Sequence, residues 1–264
     1  MEFNPEEIYK SFINKKIDRS TLIDHLISII EISAKVHWRI KSIHILSDLN
    51  AKSQRLFKLI ENLAISDSNE YVRFTALKYI QENFIEYALE PMKWAYYHEK
   101  ALQCLFVILK TLSKIDNPLS REFLISTLIS INNQAFKDDI ELILKNNKIS
   151  NYQNNQIAEI VIDYLIITNL EENYGHIDYK VRDCRINELD LSDISSHVFG
   201  WNAIKKFPNF ITELKNLTTL NLKFNRLTYL PKIIGKMVNL NGQYQFPSKF
   251  KKLKDFLKLR CKLT

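Results

Sequence analysis

Cysteine, histidine and paired carboxylates are the usual raw material of active sites, and this chain offers few arrangements of them. His98 and Cys104 stand six residues apart, which on one helix sends them to different faces. Cys104 also lies within the apolar run LFVIL, the setting of a buried thiol. His37 and His44 are seven apart on one predicted helix, but no HExxH context or neighbouring cysteine completes a metal set, so they read as surface or packed residues. Asp138-Asp139 and Glu171-Glu172 are consecutive pairs, and consecutive helical positions do not face each other. They read as capping or solvated charges, not as acid and base. Trp94, Tyr96 and Tyr97 could line a groove for a base or a peptide, but packing between adjacent helices is the simpler reading. No order of Ser, His and Asp is diagnostic. The expectation is no catalytic, cofactor-binding or metal-ligating residue, and no cofactor.

Composition narrows the classes further. The 264 residues are 46% hydrophobic, enough for an ordinary core in one large domain or two smaller ones. Only 4 glycines occur, so neither a P-loop nor GxGxxG is present, since both need glycine to bring backbone against phosphate. Three scattered cysteines, Cys104, Cys184 and Cys261, suggest neither disulfides nor a zinc cluster and fit a reducing compartment. The start, MEFNPEEIYK, lacks the features of a secretory signal, and no stretch reaches the roughly 18 apolar residues of a membrane span. A cytoplasmic location without stable membrane insertion is the expectation. The net charge of +7 is uneven: residues 1–175 hold 20 Lys+Arg against 23 Asp+Glu, and residues 176–264 hold 17 against 7.

The elements that must position these residues fall into two regimes. From Asn4 to about Tyr174 apolar residues recur at spacings of three and four, predicting about ten helices. They include Ser20 to Ala34, Trp38 to Leu49, Gln54 to Ile65, Glu70 to Phe84, Glu99 to Lys114, Ser120 to Ile131, Asp138 to Asn146 and Asn155 to Thr168. VHWRIKSIHIL (Val36 to Leu46) aligns with EYVRFTALKYI (Glu70 to Ile80) at a period of 34, matching Arg39 to Arg73, Ser42 to Ala76, Ile43 to Leu77 and Leu46 to Ile80. A small residue three after the arginine permits close helix approach, and the apolar residues that follow extend that face into a core. The segment SDSNEYVRFTALKYI (Ser66 to Ile80) resembles a HEAT repeat of the PBS-lyase type. That resemblance implies an α-solenoid and makes Asp67, Arg73 and Arg39 structural residues between repeats. The first copy has Ser33 near the aspartate position, and the third, around HEKALQCLFVIL (His98 to Leu109), keeps only Ala101 and the apolar face.

Beyond Gly175 the period changes to alternation, with Asp183-Cys184 as a hairpin turn between two runs in IDYKVRDCRINELDLS. Then LTTLNLKFNRLTYLP (Leu217 to Pro231) and the residues after it overlay Ile194 to Leu217 at an offset of 23, with Asn225 over Asn202 and Pro231 over Pro208. This LxxLxLxxNxLxxLP spacing resembles a leucine-rich repeat of the 23-residue type. In such a repeat Leu220 and Leu222 enter the core, Asn225 and Asn202 bond the turning backbone, and Ser196, Val198, Thr219, Asn221 and Lys223 project from a concave protein-binding face. In the next register Gln243 and Gln245 would replace core leucines, so the array is expected to stop after Leu240, and about two repeats must lean on neighbouring elements or caps. The tail from Ser248 to Leu263 can form a basic amphipathic helix, read as a cap over the array.

The fold expectation is a mainly α chain: residues 1–175 an α-solenoid of HEAT-like repeats, 176–247 a leading β-hairpin and about two leucine-rich repeats forming a short C-terminal α/β segment, 248–264 a basic cap or tail. The functional expectation is a non-enzymatic scaffold that binds an unknown protein partner. One alternative is a lyase or enzyme-accessory repeat protein using Cys104 or His98. Another is nucleic-acid or anionic-membrane binding through the basic tail, although nucleic acid is disfavoured elsewhere by the −3 balance of residues 1–175.

Overall fold

The computed structural model describes residues 4–194, 204–229, 231–237, 239–240 and 243–245. It is mainly helical, with a small sheet near the C-terminal end. The helices are α1 (Pro5–Ile13), α2 (Arg19–Ile32), α3 (Val36–Asp48), α4 (Gln54–Ser66), α5 (Glu70–Asn83), α6 (Leu89–His98), α7 (Leu102–Lys114), α8 (Pro118–Ile129), α9 (Gln134–Lys145) and α10 (Asn154–Tyr174). None described is long and apolar enough to cross a membrane. The chain divides into two compact units, Met1–Leu124 and Ile125–Thr264. The change of period at Gly175 therefore lies inside the second unit, whose helices α9 and α10 pack with the strands.

In the first unit side-chain caps start four of the helices. Asn4, Asp18, Ser53 and Asn69 lie in extended backbone and accept hydrogen bonds from the first free amides of α1, α2, α4 and α5. Helix α3 packs on α2 and α5, α5 packs on α4 and α7, and α6 packs on α4 and α7. Helices α3, α5 and α7 thus follow one another, each beside the helix that precedes it in sequence. Ser42 and Ala76 are both fully buried, as small residues at a close approach should be, and Ile43, Leu46, Leu77 and Ile80 continue the same face into the core. Polar ties bridge successive helices: Gln81 Nε2 donates to Thr111 Oγ1 (3.0 Å), and the Tyr79 hydroxyl to the carbonyl of Ala51 (2.6 Å).

Three predicted boundaries shift by three residues or more. Helix α7 begins at Leu102, not Glu99, because the Glu99 carboxylate accepts the amides of Lys100 and Ala101 and turns the chain there. Helix α9 begins at Gln134, capped by Asn133. Helix α10 continues to Tyr174 and stops at Gly175, whose φ of +82° is left-handed.

In the second unit β1 (Asp178–Arg182) and β2 (Arg185–Asp190) form an antiparallel hairpin, and β3 (Thr219–Asn221) and β4 (Gln243–Gln245) add in parallel, in the order β1-β2-β3-β4. Asp183 and Cys184, the predicted turn, both have positive φ, as a two-residue hairpin loop of the primed type requires. Helix α10 anchors this hairpin. Arg185 donates from Nε to Asp163 Oδ2 (2.8 Å) and from Nη1 to Glu159 Oε2 (2.6 Å), and the amide of Ile186 reaches Asp163 as well (3.1 Å). The Asp163 side chain has no solvent exposure. Asp139 on α9 accepts the amide of Cys184 (2.9 Å), so the pair Asp138-Asp139 is not simply solvated: one member pins the turn.

Burial pushes the Asp163 carboxyl up to about 6, outweighing the pull of Arg185 and Ile186. A folded value above the unfolded 3.8 gives a contribution fully present below that value and lost as pH rises through about 6. Replacing Arg185 with Met strands the carboxylate. Urea unfolding should show a loss of about 3–5 kcal/mol at pH 7.5 and a clearly smaller one at pH 5, where Asp163 can take a proton.

Candidate functional site

Three acceptors recur at the junctions of the first unit. Ser33, Asp67 and Glu99 each end a helix, each precedes the next helix start by three residues, and each accepts the amide two residues on, at 3.2, 2.9 and 2.8 Å. Arg39 donates to the Asp67 carboxylate, and Arg73 makes a bidentate pair with Glu99, with both distances 2.8 Å. Arg73 also donates to the carbonyl of Asp67 (2.8 Å). The third copy therefore does carry an acid: Glu99 occupies the aspartate position once the spacing shortens from 34 to 32 between helix starts. A fixed period of 34 lands on Ala101 and passes over it.

A pocket of about 240 Å³ opens beside this ladder, lined by Ser66, Asp67, Arg73, Trp94, His98 and Lys100 among others. Trp94 stacks on His98 with ring centroids 3.8 Å apart, and His98 Nδ1 donates to the carbonyl of Trp94 (2.8 Å). Only part of the aromatic group packs between helices. Tyr96 and Tyr97 meet Phe123 edge-on, whereas Trp94 and Tyr97 remain 46% and 70% exposed. Met92 and Ala95 define the buried stripe of α6, so positions 94 and 97 fall to its flank. Cys104 does not line the pocket and lies on a different helix from His98. Its buried thiol sits 3.6 Å from the carbonyl of Glu70 and is pushed up to about 12, by burial first and then by Glu99. It is protonated and poorly nucleophilic at neutral pH. His37 and His44 are exposed, and no group of three metal-ligating side chains occurs among the described residues.

The strand face of the second unit has its own geometry. Leu189 pairs with Leu220 and both are buried, so Glu188, Asp190, Thr219 and Asn221 take the opposite face. Asn221 Nδ2 donates to Asp190 Oδ2 (2.9 Å), and Lys180 pairs with Glu188 (2.8 Å). Burial raises Asp190, but hydrogen bonds from Ser192 and Asn221 outweigh it and hold the carboxyl below its usual range. Thr219 and Asn221 are half-buried and Lys223 is exposed. Asn225 is buried, its amide donating to the carbonyls of Leu191 and Leu222 and its oxygen accepting the amide of Ile204. The carboxamide thus binds three separate backbone segments.

A proline-led turn and its backbone hydrogen bonds recur at an offset of 23 residues. The 3-10 turns Asn209–Glu213 and Lys232–Lys236 follow Pro208 and Pro231, and the bonds Ile211 to Pro208, Leu214 to Ile211 and Leu217 to Leu214 recur as Ile234 to Pro231, Met237 to Ile234 and Leu240 to Met237. The sheet continues past Leu240, where β4 pairs with β3 at an offset of 24, not 23. Tyr244, not Gln243, aligns with Leu220, and Gln243 and Gln245 take the positions of Thr219 and Asn221. One added residue reverses the face of every position in a strand. The neighbour of β3 on its other side is β2, at an offset of 31. Ser196, Val198, Asn202 and the basic tail from Ser248 lie outside the described residues.

The Glu99 side chain is only 4% exposed. Burial raises its pKa, but Arg73 and the amides of Ala101 and Lys100 outweigh that and hold it below 4.5. A depressed folded value contributes stability above the unfolded pKa that is lost as pH falls through the folded one. Glu99→Gln should lower stability by about 1–3 kcal/mol at pH 7 and flatten the acid limb of a plot of thermal midpoint against pH.

No family model matches the chain, and no match to a curated protein or a solved structure is found.

Proposed function

We propose that this chain is a non-enzymatic scaffold for protein–protein interaction, built from HEAT-like helical repeats followed by a short leucine-rich repeat segment. The observation that carries the reading is the double recurrence: junction acids three residues before successive helices, and proline-led 3-10 turns repeating their hydrogen bonds 23 residues apart. Repeating units of this kind bury their faces only against neighbours and leave one continuous surface for a partner. In the leucine-rich segment that surface is the concave face carrying Thr219, Asn221 and Lys223, extended by Glu188 and Asp190 of the hairpin. Fold analogy connects such a face with protein binding, and the side chains here suit it, since exposed or half-buried polar groups alternate with core leucines.

The lyase or accessory reading has less support. Its best nucleophile, Cys104, is 1% exposed and sits apart from the pocket that contains His98. Affinity capture with quantitative mass spectrometry, comparing the wild type with a Thr219, Asn221 and Lys223 triple alanine variant, tests the scaffold reading. Loss of at least one stoichiometric partner, with the thermal midpoint within about 2 °C of wild type, is the expected outcome. An unchanged partner list would overturn the assignment of this face.

A further inference from the structure

Phe224 lies in the turn three residues beyond β3, is 75% exposed, and holds φ at +58°. An exposed aromatic residue alone needs no explanation, but a bulky side chain in the left-handed region does. The turn itself imposes that conformation. Asp193, in the corresponding place after β2, has φ +49°, and the amides of Leu191 and Asp193 bond the carbonyls of Asn221 and Lys223, continuing the ladder through both turns. Aspartate tolerates the left-handed region, whereas phenylalanine does not. Nor can the turn relax, because the next residue, Asn225, is tied to Leu191, Leu222 and Ile204. With three quarters of its surface in water, the ring gains little from the core in return.

The surroundings are equally specific. Lys223 and Arg226 lie on either side of Phe224 in the chain, both exposed and neither in an ion pair among the described residues. The neighbouring strand face carries the carboxylates of Glu188 and Asp190. Both carboxylates are already engaged, Glu188 with Lys180 and Asp190 with Asn221, and a base could still stack on the ring.

We propose that Phe224 is the anchor of a protein interface, packing against apolar side chains of a partner segment whose neighbouring carboxylates meet Lys223 and Arg226. This rests on the scaffold reading and deepens it. An aromatic side chain has two rotatable bonds, and the fixed turn removes most backbone freedom before contact, so little entropy remains to be lost on binding. Flanking cations add orientation and a faster approach to an acidic rim.

The probe is a displayed library of twelve-residue peptides combining Asp or Glu with Leu, Phe or Trp, selected on the immobilised full chain, with a single-stranded oligonucleotide as a parallel ligand. Phe224→Asn keeps a residue that accepts positive φ, so it should fold with a thermal midpoint equal to or above wild type. The same variant should bind the selected acidic peptides at least tenfold more weakly. Lys223→Glu should weaken them severalfold, an effect that shrinks as salt is added. Unchanged peptide affinity in Phe224→Asn, a fall in its midpoint, no enrichment of acidic sequences, or oligonucleotide binding through Phe224 in place of peptide would each overturn the proposal. Peptides lost on Thr219 and Asn221 double alanine substitution but kept by Phe224→Asn would sink the anchor alone, whereas peptides insensitive to both would sink the scaffold face as well.

Discussion

Asp163 is a carboxylate without access to water, carried in the middle of the 21-residue α10. An isolated charge there would cost several kcal/mol, so the helix is viable only where donors reach it. Those donors are Arg185 and the amide of Ile186, two consecutive residues of β2. The position of the first inner strand is thereby dictated by a helix, and Asp139 fixes the turn beside it through Cys184. Everything later in the sheet inherits that placement: β3 aligns on β2, and β4 on β3. Strands of three residues such as β3 and β4 cannot hold a sheet together alone. The ion pair is where a helix fixes the placement that the short strands cannot hold alone.

The first unit uses the same device in a repeating form. Arg39 meets Asp67 and Arg73 meets Glu99, in each case an arginine near a helix start and an acid that opens the next helix of the series. Buried pairs of this kind are often no more stabilising than apolar replacements, so their value lies in register. An acid that must accept both a guanidinium and the backbone amides of the following turn tolerates no sliding of one helix past another. Arginine suits the role because its planar fork matches Glu99 bidentately while a further nitrogen reaches the carbonyl of Asp67. Leucine contacts between α3, α5 and α7 supply the cohesion, and the charged pairs choose one alignment among several that those contacts would accept.

What the sequence made legible follows from this division. Apolar periodicity located the helices and the buried faces, because burial is required at every turn: Ser42, Ala76, Leu46 and Ile80 are all in the core. The 23-residue recurrence was legible for the same reason. Glu99 was not, since the spacing between helix starts shortens by two residues and a fixed period misses it. Asp163 was visible only as one acid inside IVIDYLII, and Arg185 as one base in an alternating run; nothing in either stretch names the other. The register of β4 differs from the expected one because a single added residue shifts it, so that Tyr244 and not Gln243 aligns with Leu220.

The turn after β3 holds two neighbours that stand in opposite relation to the fold. Asn225 and Phe224 are adjacent, and the backbone constrains both, but in opposite ways. Asn225 answers the demand: its carboxamide satisfies groups from three backbone segments, and burial follows from that. Phe224 is imposed upon, held in a conformation its side chain disfavours while contributing little to the interior. Where backbone geometry recurs it makes the same structural requests each time, so residues that meet them reveal the architecture and little else. Information about function resides at positions where the residue present is worse for the fold than a simpler one would be. By that measure Asn225 belongs to the scaffold, and the turn around it, from Lys223 to Arg226, is where sequence and structural need part company.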